Sequence, residues 1–303
     1  MRTPQYYTPV VTALKKDGSI DKDANVKIWD KLIANGMTGI VIMGSTGEFF
    51  ALSNDQKREL IDLAAENIKG RTKLFVGTGN MRKDDTVELS NYAIGKGADG
   101  VMIVGPYYFG LSDESIELYF SEVAKEVKGG IYLYNFPDRT SYDLKPSIAL
   151  SLIKNHSNII GYKDTVGNWA HTRELITTIR DSGNEDFVIM TGNDTNFMFT
   201  ILTGGNGAIG ATSNVYPEIS GAWVKAMKSN DMDKAFAIQH TMDRIKFGVN
   251  AFFVPVIKKA IMLRGLDIND TCTFPFVSLT EEQTKQLKSF IDGFEANVKA
   301  LVS

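Results

Sequence analysis

Over the first 212 residues, short apolar runs alternate with stretches whose apolar positions recur every three or four residues. The runs are YTPVVTA (7–13), TGIVIMG (38–44), KLFVGTG (73–79), DGVMIVG (99–105), GIYLYN (130–135), NIIGYKD (158–164), DFVIMTG (186–192) and NGAIGAT (206–212). Most are near-continuously apolar, as parallel strands covered by helices are. Between the second and third, Ser53 and Gln56 have the spacing of a capping box, opening a helix that buries Leu60, Ile61, Ala64, Ala65 and Ile68. After Ser112, Ile116, Tyr119, Phe120, Val123 and Val127 form one helical face. Strand–helix repetition of this number predicts an α/β fold, a (β/α)8 TIM barrel. A doubly wound open sheet is the alternative, although it ordinarily has fewer strands.

After about residue 226 the alternation stops. Residues 231–247 and 251–264 read as helices. Thr280 and Gln283 cap a last one, with Leu287, Phe290, Ile291, Phe294 and Val298 on one face. The expected organisation is a barrel over 1–226 and C-terminal helices over 227–303, packed together as one structural unit. A chain of 303 residues suits this arrangement.

Charge and cysteine content narrow the function. A net charge of -3 leaves no electrostatic footprint for nucleic acid or for anionic membranes, so neither is an expected partner. Cys272 is the sole cysteine, which excludes an intrachain disulfide framework and suits a reducing cytoplasm. No apolar run approaches the length of a membrane span, and the first ten residues lack the apolar core of a secretion signal.

The chemistry concentrates where a barrel places it, at the C-terminal ends of strands. The sixth run ends on a charge, Lys163. Side chains alternate along a strand, so Ile159, Gly161 and Lys163 share one face, and Ile160 and Tyr162 the other. On the fifth run Tyr132 and Tyr134 share a face, with Ile131 and Leu133 opposite. If the aliphatic faces meet the helices, Lys163 and Tyr134 both point inward at the barrel mouth. A strand-end lysine is more commonly a solvated one. Buried, it has a use, because desolvation disfavours an ammonium ion and leaves a neutral amine able to attack a carbonyl. The resulting imine is an electron sink for breaking or making the adjacent carbon–carbon bond, and a nearby phenol can move protons.

Two loops carry anion chemistry. GSTGEFF (44–50) sets hydroxyls and glycine-flanked backbone N–H groups together, suited to a small carboxylate, although a plain turn is the commoner meaning. In YNFPDRTS (134–141), Arg139 is either a bidentate partner for a carboxylate or a rim ion pair with an acid such as Asp138. The histidines, His156, His171 and His240, lack metal-binding spacing, so no metal is expected; no Walker loop or nucleophile elbow is present either.

Together GSTGE (44–48), PYY (106–108), YNFP (134–137), GYKDT (161–165) and GAIGATSN (207–214) resemble the dihydrodipicolinate synthase / N-acetylneuraminate lyase superfamily of pyruvate-dependent class I aldolases, with the likeness running over essentially the whole chain. The resemblance implies that Lys163 forms the imine with pyruvate or another 2-keto acid, needing no cofactor, and that Tyr134 transfers the proton. It implies that Ser45 and Thr46 bind the carboxylate and relay protons, and that Gly192 and Ile209 line the pocket. Tyr108 corresponds to a tyrosine that crosses a subunit interface, implying a homo-oligomer, dimer or tetramer. For the aldehyde partner the signals conflict. Arg139 matches the synthases, whose aldehyde carries a carboxylate. Ser141, however, stands where a glycine often follows the Arg-Thr pair; Ser45 is as in the N-acetylneuraminate lyases, and GYKDT (161–165) and FFVPVIKKAIMLRG (252–265) are closer to the 2-keto-3-deoxy-sugar-acid aldolases. Arg139 tips the reading toward a dihydrodipicolinate synthase-like reaction. Bulky Phe49, Phe50 and Met81 stand around the position of the regulatory lysine site, so feedback by lysine is not expected. A barrel that binds pyruvate without turnover is the non-enzymatic alternative.

Overall fold

Each apolar run forms a strand: β1 (Gln5–Pro9), β2 (Gly39–Ile42), β3 (Lys73–Gly77), β4 (Gly100–Val104), β5 (Ile131–Asn135), β6 (Ile159–Asp164), β7 (Val188–Thr191) and β8 (Gly207–Ile209). The helices are α1 (Lys22–Ala34), α2 (Asn54–Asn67), α3 (Lys83–Lys96), α4 (Asp113–Glu126), α5 (Pro137–Thr140), α6 (Pro146–Asn155), α7 (Trp169–Asp181), α8 (Phe197–Leu202), α9 (Pro217–Lys228), α10 (Met232–Met242), α11 (Phe253–Leu263) and α12 (Glu281–Val302). In this computed structural model, which describes residues 2–245, 247, 249 and 251–302, the strands follow sequence order around a closed parallel barrel. The chain divides into two compact units, one of Met1–Gln5 with Lys73–Gly210, the other of Tyr6–Thr72 with Ala211–Ser303.

The first unit holds β3 to β8. Its interior pairs a large ring on one strand with a glycine on the next. Phe75 on β3 is in register with Gly100 on β4, where a Cβ would come within 2.6 Å of the Phe75 ring. Tyr132 on β5 is in register with Gly161 on β6, where a Cβ would come within 2.5 Å of the Tyr132 ring. The two rings touch, with centroids 4.4 Å apart. Between β5 and β6 the register slips by one residue: Ile131 faces Ile159 but Tyr132 faces Gly161, so Ile160 has no partner in the ladder. Ile159 is thus paired with Ile131 rather than with the Tyr132 and Tyr134 face, a departure from the strict alternation expected for β6. An inserted residue re-aims every side chain beyond it.

The second unit repeats the ring-on-glycine device, with Tyr7 of β1 in register with Gly39 of β2, where a Cβ would meet the Tyr7 ring at 2.6 Å. Strand β1 stops at Pro9, short of the expected 13. Residues 10–13 are buried and apolar in the main, but after Val10, whose N–H still donates to the Val41 carbonyl at 3.0 Å, side chains take over at Val11 and Ala13. Val11 N donates to Asn214 Oδ1 at 3.1 Å, and Ala13 N to Asn25 Oδ1 at 3.0 Å. The capping boxes form as expected: Gln56 N donates to Ser53 Oγ at 3.2 Å, and Gln283 N to Thr280 Oγ1 at 3.2 Å. α10 ends at Met242, earlier than the expected 247; residue 246 lies outside the described residues. α9 packs against α10 and α12, and α12 against α11, with Leu287, Ile291, Phe294 and Val298 of α12 buried. Among the described residues no helix is long and apolar enough to cross a membrane.

The ring-on-glycine packing yields a stability prediction. Gly161→Ala drives a methyl into the Tyr132 ring and lowers unfolding stability by about 1–3 kcal/mol, the usual effect of overpacking. Gly167→Ala, where a Cβ meets nothing within 4 Å, serves as the control and changes little. Urea denaturation of both variants checks this, and equal midpoints would remove the packing argument.

Candidate active site

Beyond the slip at Ile160, Tyr134 lies in register with Lys163 and Asn135 with Asp164. Lys163 and Tyr134 therefore stand side by side on neighbouring strands. Lys163 is 5% exposed and Tyr134 4%, and the Lys163 Nζ sits 4.1 Å from the centroid of the Tyr134 ring. The aromatic contacts continue outward. Tyr134 stacks on Phe136 at 6.0 Å, and the Arg139 guanidinium lies 5.7 Å from the Phe136 ring. Arg139 is exposed, on the short helix α5.

Gly192 follows β7, and its N–H donates to the Asp164 carbonyl at 2.6 Å. A Cβ there would come within 2.0 Å of Thr165 Oγ1, so only glycine permits that approach. Ile209 is buried at the end of β8. Tyr108, in contrast, is 76% exposed on the loop after β4, edge-on to Phe109 at 4.8 Å. The second unit carries Ser45, half-buried, and Thr46, buried, on the loop after β2. That loop turns tightly, with Gly47 N bonded to Gly44 O at 3.0 Å and Glu48 N to Ser45 O at 3.2 Å.

Sequence reasoning missed the groups behind Lys163 and Tyr134. The residue after each is polar and fully or almost fully buried. Asp164 accepts from Thr172 Oγ1 at 2.5 Å, from His171 Nδ1 at 3.0 Å and from Asn135 Nδ2 at 3.2 Å. Asn135 also donates to Asp143 Oδ1 at 2.8 Å and accepts from Leu144 N at 2.9 Å, while His171 Nε2 lies 3.2 Å from Asp143 Oδ1. This network locks the tops of β5 and β6 together on the face opposite the lysine. Burial pushes the His171 imidazolium down, but the two aspartates outweigh it and raise it to about 10. Asp143, whose carboxyl burial pushes up, is nevertheless held below its ordinary value by His171 and Asn135. The available signal was the Lys-Asp and Tyr-Asn sequence at two neighbouring strand ends.

A profile of the dihydrodipicolinate synthetase family matches residues 3–293. The chain is 35% identical to YagE of Escherichia coli (strain K12), named provisionally as a 2-dehydro-3-deoxy-D-gluconate aldolase, over 93% of this chain and 94% of that one. The crystal structure of YagE in complex with pyruvate superposes with a TM-score of 0.93 at 34% identity, covering 96% of this chain and 98% of that one. YjhH of the same strain, named provisionally as a 2-dehydro-3-deoxy-D-pentonate aldolase, is 32% identical over 90% of this chain and 91% of its own. A 4-hydroxy-tetrahydrodipicolinate synthase from Kosmotoga olearia (strain ATCC BAA-1733 / DSM 21960 / TBF 19.5.1) is 33% identical over 73% of this chain and 74% of its own.

The His171 network predicts a pH signature. The raised group favours the fold while charged, so its contribution is complete below its ordinary value of 6.5. That contribution falls as pH rises from there toward about 10. Denaturation midpoints of wild type and His171→Asn at pH 6, 8 and 10 should converge as pH rises. A difference independent of pH would show that the imidazolium is not what the two aspartates hold.

Proposed function

The chain belongs to the dihydrodipicolinate synthetase family, a family of lyases and aldolases, and on that premise we propose that it is a pyruvate-dependent class I aldolase. The observation that carries the reading is the buried contact between the Lys163 amine and the Tyr134 ring at adjoining strand ends. The amine adds to the keto carbon of pyruvate, and water leaves to give the imine. Loss of a proton from the neighbouring methyl gives an enamine, whose carbon adds to an aldehyde. The alkoxide formed takes up a proton, and water then hydrolyses the imine and frees Lys163. Cleavage runs the same steps in reverse. Tyr134 moves the protons, Ser45 and Thr46 receive the carboxylate, and Gly192 and Ile209 line the space beside the imine. No external cofactor is required by this chemistry. Tyr108 is read as reaching a second copy's site in a homo-oligomer, dimer or tetramer; a fully active monomer in sedimentation would leave it as a surface residue.

The aldehyde separates two readings. Arg139 supports a synthase-like acceptor, aspartate semialdehyde, whose carboxylate its guanidinium can hold in a fork. The second reading is a 2-keto-3-deoxy-sugar-acid aldolase. The names and coverage of YagE and YjhH favour it, and so does the exposure of Arg139, because solvent competes with a guanidinium for a carboxylate. On these observations the sugar-acid reading is the better supported.

Borohydride added with pyruvate should fix a stable adduct on Lys163; a label on any other lysine ends the mechanism. Tyr134→Phe should still accept the label but turn over about 10²–10⁴-fold more slowly, the usual contribution of a positioned acid or base. Near-wild-type turnover would give the proton to another group.

A panel of pyruvate with aspartate semialdehyde, glyceraldehyde or N-acetylmannosamine, run on wild type and Arg139→Ala, decides the acceptor. A sugar-acid aldolase turns over glyceraldehyde well and is indifferent to the substitution. A synthase instead loses about 1.5–3 kcal/mol in kcat/KM with aspartate semialdehyde alone. Pyruvate labelling without turnover of any aldehyde would mark a binding barrel.

A further inference from the structure

The loop of residues 44–48 is bracketed by two non-glycine residues in the left-handed region, Met43 at φ 54° and Glu48 at φ 59°. An L-residue holds that conformation only where its surroundings over-determine it. At Glu48 they do. The Glu48 side chain is fully buried, with Oε1 2.5 Å from the Nζ of an equally buried Lys258 on α11. Its Oε2 accepts from Thr273 N at 2.6 Å and from Thr273 Oγ1 at 2.8 Å. Lys258 Nζ also donates to the Thr271 carbonyl at 2.7 Å. One residue earlier in the loop, Thr12 Oγ1 donates to the Gly47 carbonyl at 2.8 Å.

A buried ion pair is a poor source of stability, because desolvating two charges offsets most of their attraction and apolar residues of like volume often serve as well. It does hold a fixed distance and direction. Lys258 lies on the apolar stripe of α11 with Val254, Ile257 and Ile261, where a buried aliphatic residue would fit the pattern. We propose that Glu48 and Lys258 are positioning residues. Through them, α11 and the segment 271–273 hold the loop so that Ser45 and Thr46 stand where the 2-keto-acid carboxylate is bound. This rests on the reading of Ser45 and Thr46 given above. Lys258 touches no substrate; it acts through Glu48 on the turn that carries Ser45 and Thr46.

The experiment uses the full-length enzyme and reads the pyruvate concentration giving half-maximal borohydride labelling of Lys163. A Glu48→Gln/Lys258→Met variant removes both charges and keeps an acceptor for Thr273. Its half-maximal concentration should rise about tenfold or more, the effect of a binding group set loosely. Labelling at saturating pyruvate and the thermal midpoint should stay near wild type. A folded double variant labelled at wild-type pyruvate concentrations overturns the proposal. Should the double variant not fold, Thr273→Val carries the same test. It removes one donor to Glu48 while leaving both charges, and should raise the value about threefold, in keeping with one lost hydrogen bond; no rise overturns the proposal. Ser45→Ala and Thr46→Val separate the two ideas. If neither weakens pyruvate labelling, the carboxylate reading fails and the positioning role with it. If both weaken it and the Glu48/Lys258 variant does not, the positioning role alone fails.

Discussion

The one-residue slip at Ile160 is the constraint on which the pairing of Lys163 with Tyr134 depends. Counting on from Ile131 opposite Ile159 without it, Lys163 would face Asn135 and share the side of the sheet that takes Ile131 and Leu133. The extra residue brings Lys163 opposite Tyr134 instead, because side chains change face at every residue of a strand. Its counterpart is the glycine that follows. Gly161 leaves room for the Tyr132 ring, so the strands close on one another directly beneath the lysine. Asp164 then necessarily faces the other way and gathers Asn135, His171 and Thr172.

Each unit thus keeps a buried acid close behind its candidate reacting groups. In one, Asp164 and Asp143 flank a charged His171 and tie β5 to β6. In the other, Glu48 meets Lys258 and the turn at Thr273. Both acids have several donors, as a buried carboxylate requires if it is to remain charged without a large penalty. Neither arrangement is the least expensive way to fill a core. Both fix the backbone within one to three residues of a side chain whose direction matters to the proposed chemistry, a lysine amine in one case and two hydroxyls in the other.

The strands and helices were legible because burial on both faces writes itself as unbroken apolar runs, and helix starts write themselves as capping boxes. The errors arose where the same apolar signal had another cause. Residues 10–13 are as buried as a strand, but Asn214 and Asn25 take the backbone N–H groups of Val11 and Ala13. Residues 210–212 are apolar or small, yet β8 ends at Ile209 and the chain turns through 211–214. Lys258 left a trace, a charge within the apolar stripe of α11, but a single strand or helix gives no hint of its partner 210 positions earlier in the chain.

By itself the sequence determined the eight-fold alternation and the family of the chain, and it singled out Lys163 and Tyr134 as the candidate pair, since these depend on residue type and local spacing. It could not determine the register between β5 and β6, which is a property of two strands and of the ring and glycine that meet there. Nor could it pair Glu48 with Lys258 or seat His171 between two aspartates. A buried charge selects its partner from whatever the folded chain brings within a few ångströms, and only the tertiary structure decides what that is.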